Sequence, residues 1–186
     1  MVRKFPFIFL RRPHHNPMKT NKRQRIILVI SIISLTICCD QISKIIVRNN
    51  LTNHENIGLL NNSLVLVKAE NIGAALGLGG NFPSMLKIIY FQILPISVLL
   101  FFFRMILTKT DISKVAAIGL SIAIGGAVAN IFDRIFFGSV TDFIQIQTGT
   151  MQTGIFNIAD IFIVTGTILV VLDLIFNKKN NLLDSL

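Results

Sequence analysis

The spacing of apolar and polar positions divides the chain into four long apolar runs joined by more polar stretches. The runs cover about 26–47, 86–107, 115–132 and 155–176, each near the roughly 20 residues an α-helix needs to cross bilayer hydrocarbon. Asp40 and Lys44 interrupt the first run in its last two turns, and Pro95 predicts a kink in the second. The third run is rich in Gly and Ala. Between runs one and two, residues 63–68 are β-prone and a Gly-rich stretch follows at 71–80. Between runs three and four, Val140, Asp142, Ile144 and Ile146 share a two-residue period opposite Thr141, Gln145 and Gln147. Extended segments are therefore expected at about 56–80 and 138–150. As a strand residue, Asp142 sits on the apolar face, where desolvation favours its neutral form. The same spacing also fits a loop aspartate in water.

Composition agrees with a membrane protein. Of 186 residues, 52% are hydrophobic and 15% charged, with a mean hydropathy of +0.68. A soluble domain carries about 25% charged residues. The net charge of +9 could suggest nucleic acid, but the cations flank apolar runs of membrane-spanning length, which argues against that partner. Cys38 and Cys39 are adjacent within an apolar run and form no disulfide framework. His14, His15 and His54 lie far from any second ligand set, so no metal site is expected.

Orientation follows from the basic residues. Thirteen of the 18 Lys and Arg fall in the N-terminal tail, the connection between runs two and three, and the C-terminal tail. The other five are Lys44, Arg48, Lys68, Lys87 and Arg134. This asymmetry predicts that both termini are cytoplasmic. The division is a basic tail over 1–25, a functional domain over 26–176 and a cytoplasmic tail over 177–186. A basic stretch before an apolar run also fits a cleaved signal peptide. A retained span is favoured because Ile37 precedes Cys38, where a lipidation site has a small residue, and because apolar character continues past Asp40. Met18 is an alternative start.

Polar residues gather at the predicted outer ends of the spans. Asn130, Asp133 and Arg134 share one helical face, with Gly126 and Ala127 one turn further in. Asn157 and Asp160 are spaced i and i+3, and Asp40 and Lys44 at i and i+4 suit an ion pair. Each arrangement has a plain structural reading: a local salt bridge, a helix anchor at the interface, or close packing of small residues. Asp160 is different, because an ionisable group a turn inside an apolar run should face the bundle interior and be paired or functional. No Ser-His-Asp set, HExxH or Gly-rich phosphate loop is present. What remains is a pair of carboxyls, Asp142 and Asp160. Such a pair shares a proton, so that one member activates water while the other polarises a carbonyl.

Four motifs occur in order: Asp40-Gln41-Ile42-Ser43-Lys44; Asn71-Ile72-Gly73-Ala74-Ala75; 125–134 with Gly138-Ser139-Val140-Thr141-Asp142-Phe143; and Phe156-Asn157-Ile158-Ala159-Asp160. Together, over about 26–176, they resemble the lipoprotein signal peptidase (signal peptidase II) family. The resemblance implies four transmembrane helices beside a small outer β-cradle. It also implies an aspartic endopeptidase of the bacterial cytoplasmic membrane, acting on its outer face, that cleaves diacylglyceryl-modified prolipoproteins just before the lipidated cysteine. Asp142 and Asp160 match the family's catalytic pair. Asn71, Gly73, Asn130, Arg134 and Asn157 match positions that hold substrate or order the site, and Asp40, Lys44 and Asp133 match supporting positions. Prolipoprotein and membrane lipid are the implied partners, and no metal or organic cofactor is implied. Two positions depart from the family pattern: Ala129 stands for a usual glycine and Leu76 for a usual phenylalanine. The competing readings are a small four-span proton- or cation-coupled transporter using Asp160, and a structural subunit whose polar helix ends bind a partner.

Overall fold

A computed structural model describes residues 21–52, 55–109 and 112–183, excepting the side chains of 177–183. Tail residues 1–20, His54 and Asp111 lie outside the described residues. Four long helical spans form a bundle: α1 (Lys22–Asn50), α2 (Ser84–Ile88) running on into α3 (Leu94–Thr108), α4 (Lys114–Phe136) and α5 (Ile158–Leu183). All four are long and apolar enough to cross a membrane. Their lipid-length faces remain exposed, as Leu35, Phe101 and Leu174 illustrate.

Around Pro95 the helical span changes its hydrogen-bonding pattern. Lacking an N–H and clashing with the carbonyl four residues back, this proline cannot continue a regular α-helix. The chain takes a π-helical turn over Ile89–Ile93 just before it, and the helix resumes at Leu94. α1 starts at an Asn21 cap whose side chain accepts from the Arg23 N–H, and Ser113 caps α4 through the Ala116 N–H.

Close backbone approach joins α4 to α5. A Cβ on Gly126 would lie 2.5 Å from the carbonyl oxygen of Ala159, so only glycine admits this crossing. At the other end of the bundle, Val29, Ile106, Ala117 and Ile124 form an apolar core between α1, α3 and α4.

The strands follow the ends of α1 and α4, so they gather at one end of the bundle. β1 (Asn56–Leu59), β2 (Leu64–Asn71), β3 (Val140–Thr148) and β4 (Met151–Gln152) form an antiparallel sheet in that order. The β1–β2 turn holds Leu60, Asn61 and Asn62 at positive φ, a conformation that Asn tolerates better than Leu. Val47, Leu51 and Phe143 seal the sheet to α1. β1 and β2 fall within the stretch 56–80 and β3 within 138–150, whereas Ala75–Gly77 form a 3-10 turn in place of extended chain. The fourth helix begins at Ile158, three residues inside the apolar run.

Candidate active site

β3 is buried on both faces where it begins. Val140, Thr141, Asp142 and Phe143 are all buried, because one face packs on α1 and the other borders a cavity. Asp142 is therefore no loop aspartate in water: it is 4% exposed. Its Oδ1 accepts from Asn157 Nδ2 at 2.6 Å and its Oδ2 from Asn71 Nδ2 at 3.0 Å. Burial pushes the Asp142 carboxyl up to about 6, against the lowering effect of those two amides and with help from the nearby Asp160 charge.

Asp160 stands in the first turn of α5. Its Oδ1 accepts from Asn130 Nδ2 at 2.9 Å, and its Oδ2 accepts from the Asn157 backbone N–H at 3.1 Å. Asn157 thus serves both carboxyls, one with its side chain and one with its backbone. Asn130 Oδ1 in turn accepts from Asn157 Nδ2 at 3.2 Å and from Lys44 Nζ at 2.8 Å.

Below this layer lies a charge cluster closed to solvent. Lys44 is fully buried between Asp40 (2.7 Å) and Asp133 (2.8 Å). The expected i, i+4 pair forms, and it is more than a local bridge because Lys44 also crosses to α4. Asp40 Oδ1 accepts from the Ala159 N–H at 2.9 Å, tying α1 to the start of α5. Asp133 also meets Arg48 at 3.2 Å. Two carboxylates and two cations balance, which is what makes such burial tolerable.

The loop after β2 closes the other side. Asn71 Oδ1 accepts from the Gly73 N–H, and Asn71 Nδ2 also donates to the Ala74 carbonyl. A Cβ on Gly73 would meet the carbonyl oxygens of Gly77 and Leu78 at 2.6 Å, so the loop folds this tightly only around glycine. Arg134 reaches across from α4, donating to the Gly73 carbonyl at 2.8 Å and the Asn130 carbonyl at 3.2 Å. Leu76, at positive φ and 81% exposed, arches toward Gly154 over the cavity mouth.

The two carboxyls, Asn71, Asn130, Arg134 and Asn157 line one cavity of about 470 Å³. Two further hollows share its lining: one at Asn71 and Asp142 runs past Gln145 and Gln152, and one at Asn130 and Asp160 runs past Tyr90, Phe91 and Ala127. Every residue given a site role from the sequence lies in or directly behind this cavity. The family model described as signal peptidase (SPase) II matches residues 32–176. The chain belongs to the signal peptidase II family.

Its relatives agree. A lipoprotein signal peptidase of Desulforapulum autotrophicum is 33% identical over 89% of this chain and 100% of its own length. One from Borrelia hermsii is 30% identical over 85% and 96%. Two solved structures of a bacterial membrane enzyme superpose with TM-scores of 0.72 and 0.69, each at 26% identity. They cover 82% and 78% of this chain, and 90% and 91% of their own. Membership and the four apolar helices together mark a multi-pass bacterial membrane protein.

Three contributors were not singled out from the sequence. Gln41 Nε2 donates to Asp133 Oδ1 at 3.0 Å, and Arg48 donates from Nε to Thr141 Oγ1 at 2.8 Å. Glu70 accepts from Ser139 and Thr141. Arg48 continues the Asp40, Lys44 face of α1 by one more i+4 step, a signal that the sequence does contain. Glu70 and Thr141 meet only through the β2–β3 register, which no local pattern reveals.

Proposed function

We propose that the chain is an aspartic endopeptidase that removes signal peptides from diacylglyceryl-modified prolipoproteins, cutting just before the lipidated cysteine. The observation that carries this reading is Asn157 bridging Asp142 and Asp160 at the head of one cavity. Two carboxyls so joined can hold one proton between them. One activates a water molecule for attack on the scissile carbonyl, and the other donates its proton to the tetrahedral species or the leaving amine. Burial raises Asp142 to about 6, which brings its neutral form closer to hand than in an ordinary carboxyl. The reaction passes through no covalent intermediate.

Asn71, Gly73, Asn130, Arg134 and Asn157 would order the carboxyls and the peptide backbone, with Asp40, Lys44 and Asp133 fixing the helices behind them. The cation distribution supports cytoplasmic termini, a reading in which the sheet and the cavity face outward. There the signal helix would lie in the bundle and the diacylglyceryl chains in lipid. Clustering of the acids at one end of the bundle weighs against the transporter reading, which needs a path through the membrane.

The test is cleavage of a lipidated prolipoprotein and its unmodified form by the purified full chain in lipid, with product masses read by mass spectrometry. Cleavage of the lipidated form alone, at the cysteine, is the expected result. Cleavage of both forms equally, or of neither, would overturn the proposal.

A further inference from the structure

The two aspartates ride on different bodies. Asp160 belongs to the helix bundle, held by Asn130 of α4 and, through the neighbouring Ala159 N–H, by Asp40 of α1. Asp142 belongs to the sheet, opposite Ala69 of β2. Their separation is therefore set by how the sheet sits on the bundle.

Asn157 and Arg134 cross that joint at the cavity, and Arg48 crosses it from behind. Arg48, near the end of α1, donates from Nε to Thr141 Oγ1 at 2.8 Å and places a guanidinium nitrogen 3.2 Å from Asp133 of α4. Its guanidinium also lies 4.1 Å above the Phe137 ring centroid. Thr141 is fully buried and its hydroxyl donates a hydrogen bond to Glu70 Oε1 at 2.9 Å, while Glu70 Oε2 accepts from Ser139 at 2.6 Å. Thus α1, α4, β2 and β3 meet through one guanidinium and one hydroxyl. Successive strand residues point to opposite faces, so fixing Thr141 on the bundle side aims Asp142 into the cavity.

We infer that Arg48, acting through Thr141, is a positioning residue that sets where Asp142 stands relative to Asp160. Neither Arg48 nor Thr141 lines the cavities around the carboxyls, so their effect reaches the chemistry without touching the peptide. Arginine suits the task because its planar fork holds two partners at once, whereas a lysine ammonium is a single flexible point. Misplacing a reacting group by about 1 Å can cost on the order of 10²-fold in rate.

This inference rests on the peptidase reading, and its test separates the two. The full chain in lipid is compared with Thr141→Val, Thr141→Ser, Arg48→Gln and Arg48→Lys on the lipidated prolipoprotein, with rates normalised to folded protein. Thr141→Val and Arg48→Gln should lower kcat about tenfold while KM stays within about twofold. Thr141→Ser, which keeps the hydroxyl, should recover most of the rate, and Arg48→Lys should not. If Arg48→Gln fails to fold, Thr141→Val carries the test, since it removes one hydroxyl at nearly constant volume. Unchanged kcat per folded molecule, or serine no better than valine, overturns the positioning role while leaving the peptidase intact. Failure of the wild type to cleave overturns both.

Discussion

Asn157 and Asp160 bond each other reciprocally. The Asp160 N–H donates to Asn157 Oδ1 at 3.0 Å, and the Asn157 N–H donates to Asp160 Oδ2 at 3.1 Å. This is a capping box, in which two backbone donors that a helix start leaves unsatisfied are filled by the cap and the residue three positions on. In α5 the same device holds a proposed catalytic carboxylate. It also leaves the Asn157 amide free to hold the other one.

Replacing Asn157 tests that double use. Asn157→Ala should cost about 1 kcal/mol of stability through the lost cap. Its kcat/KM should fall further, by at least about tenfold, because the Asp142 carboxyl loses its Asn157 amide partner and the turn that carries Asp160 loses its cap. Thermal midpoints and initial rates on one preparation check this. A lowered midpoint with an unchanged rate would restrict Asn157 to capping.

The pH profile should carry the mark of Asp142. Its carboxyl is raised to about 6 by burial, so the neutral acid persists below that pH and is lost as the pH rises through it. If that proton is the one donated, kcat/KM falls on the alkaline side of about pH 6. Initial rates across pH 4.5–8.5 (roughly the range in which such groups titrate) read the limb directly. A flat profile there would assign the proton elsewhere.

Lys44 should be more costly to lose than either of its partners. Lys44→Met leaves Asp40 and Asp133 buried together without their shared cation, and breaking such a group costs about 3–5 kcal/mol. Adding Asp40→Asn to Lys44→Met should restore part of the loss, as a double-mutant cycle on thermal midpoints would register. Simple additivity would mean that the pair contributes independently.

Much of this is legible in the sequence, for physical reasons that differ by element. The spans were legible because lipid demands long apolar runs, and Asp40–Lys44 because one helix brings i and i+4 together. The apolar pattern starts α5 three residues early, because Ile155 and Phe156 read as apolar helix. In the structure Phe156 bonds to β3, its N–H and carbonyl pairing with Ile144. The Asn157-x-x-Asp160 spacing carried the capping signal that corrects it. Contacts between elements were not legible. Lys44 with Asp133, and Glu70 with Thr141, depend on helix crossing and strand register. Alternation placed Asp142 on the apolar face of its strand, but Thr141 opposite it is buried as well, because the sheet is sandwiched between α1 and the site.

The central claim is that Asp142 and Asp160 together hydrolyse the peptide bond. The most direct test follows one lipidated prolipoprotein with wild type, Asp142→Asn and Asp160→Asn, each confirmed folded by its elution and helical content. The account predicts correct cleavage by the wild type and rates lowered by about 10²–10⁴-fold or more in each variant. Turnover near the wild-type rate in either variant would contradict it.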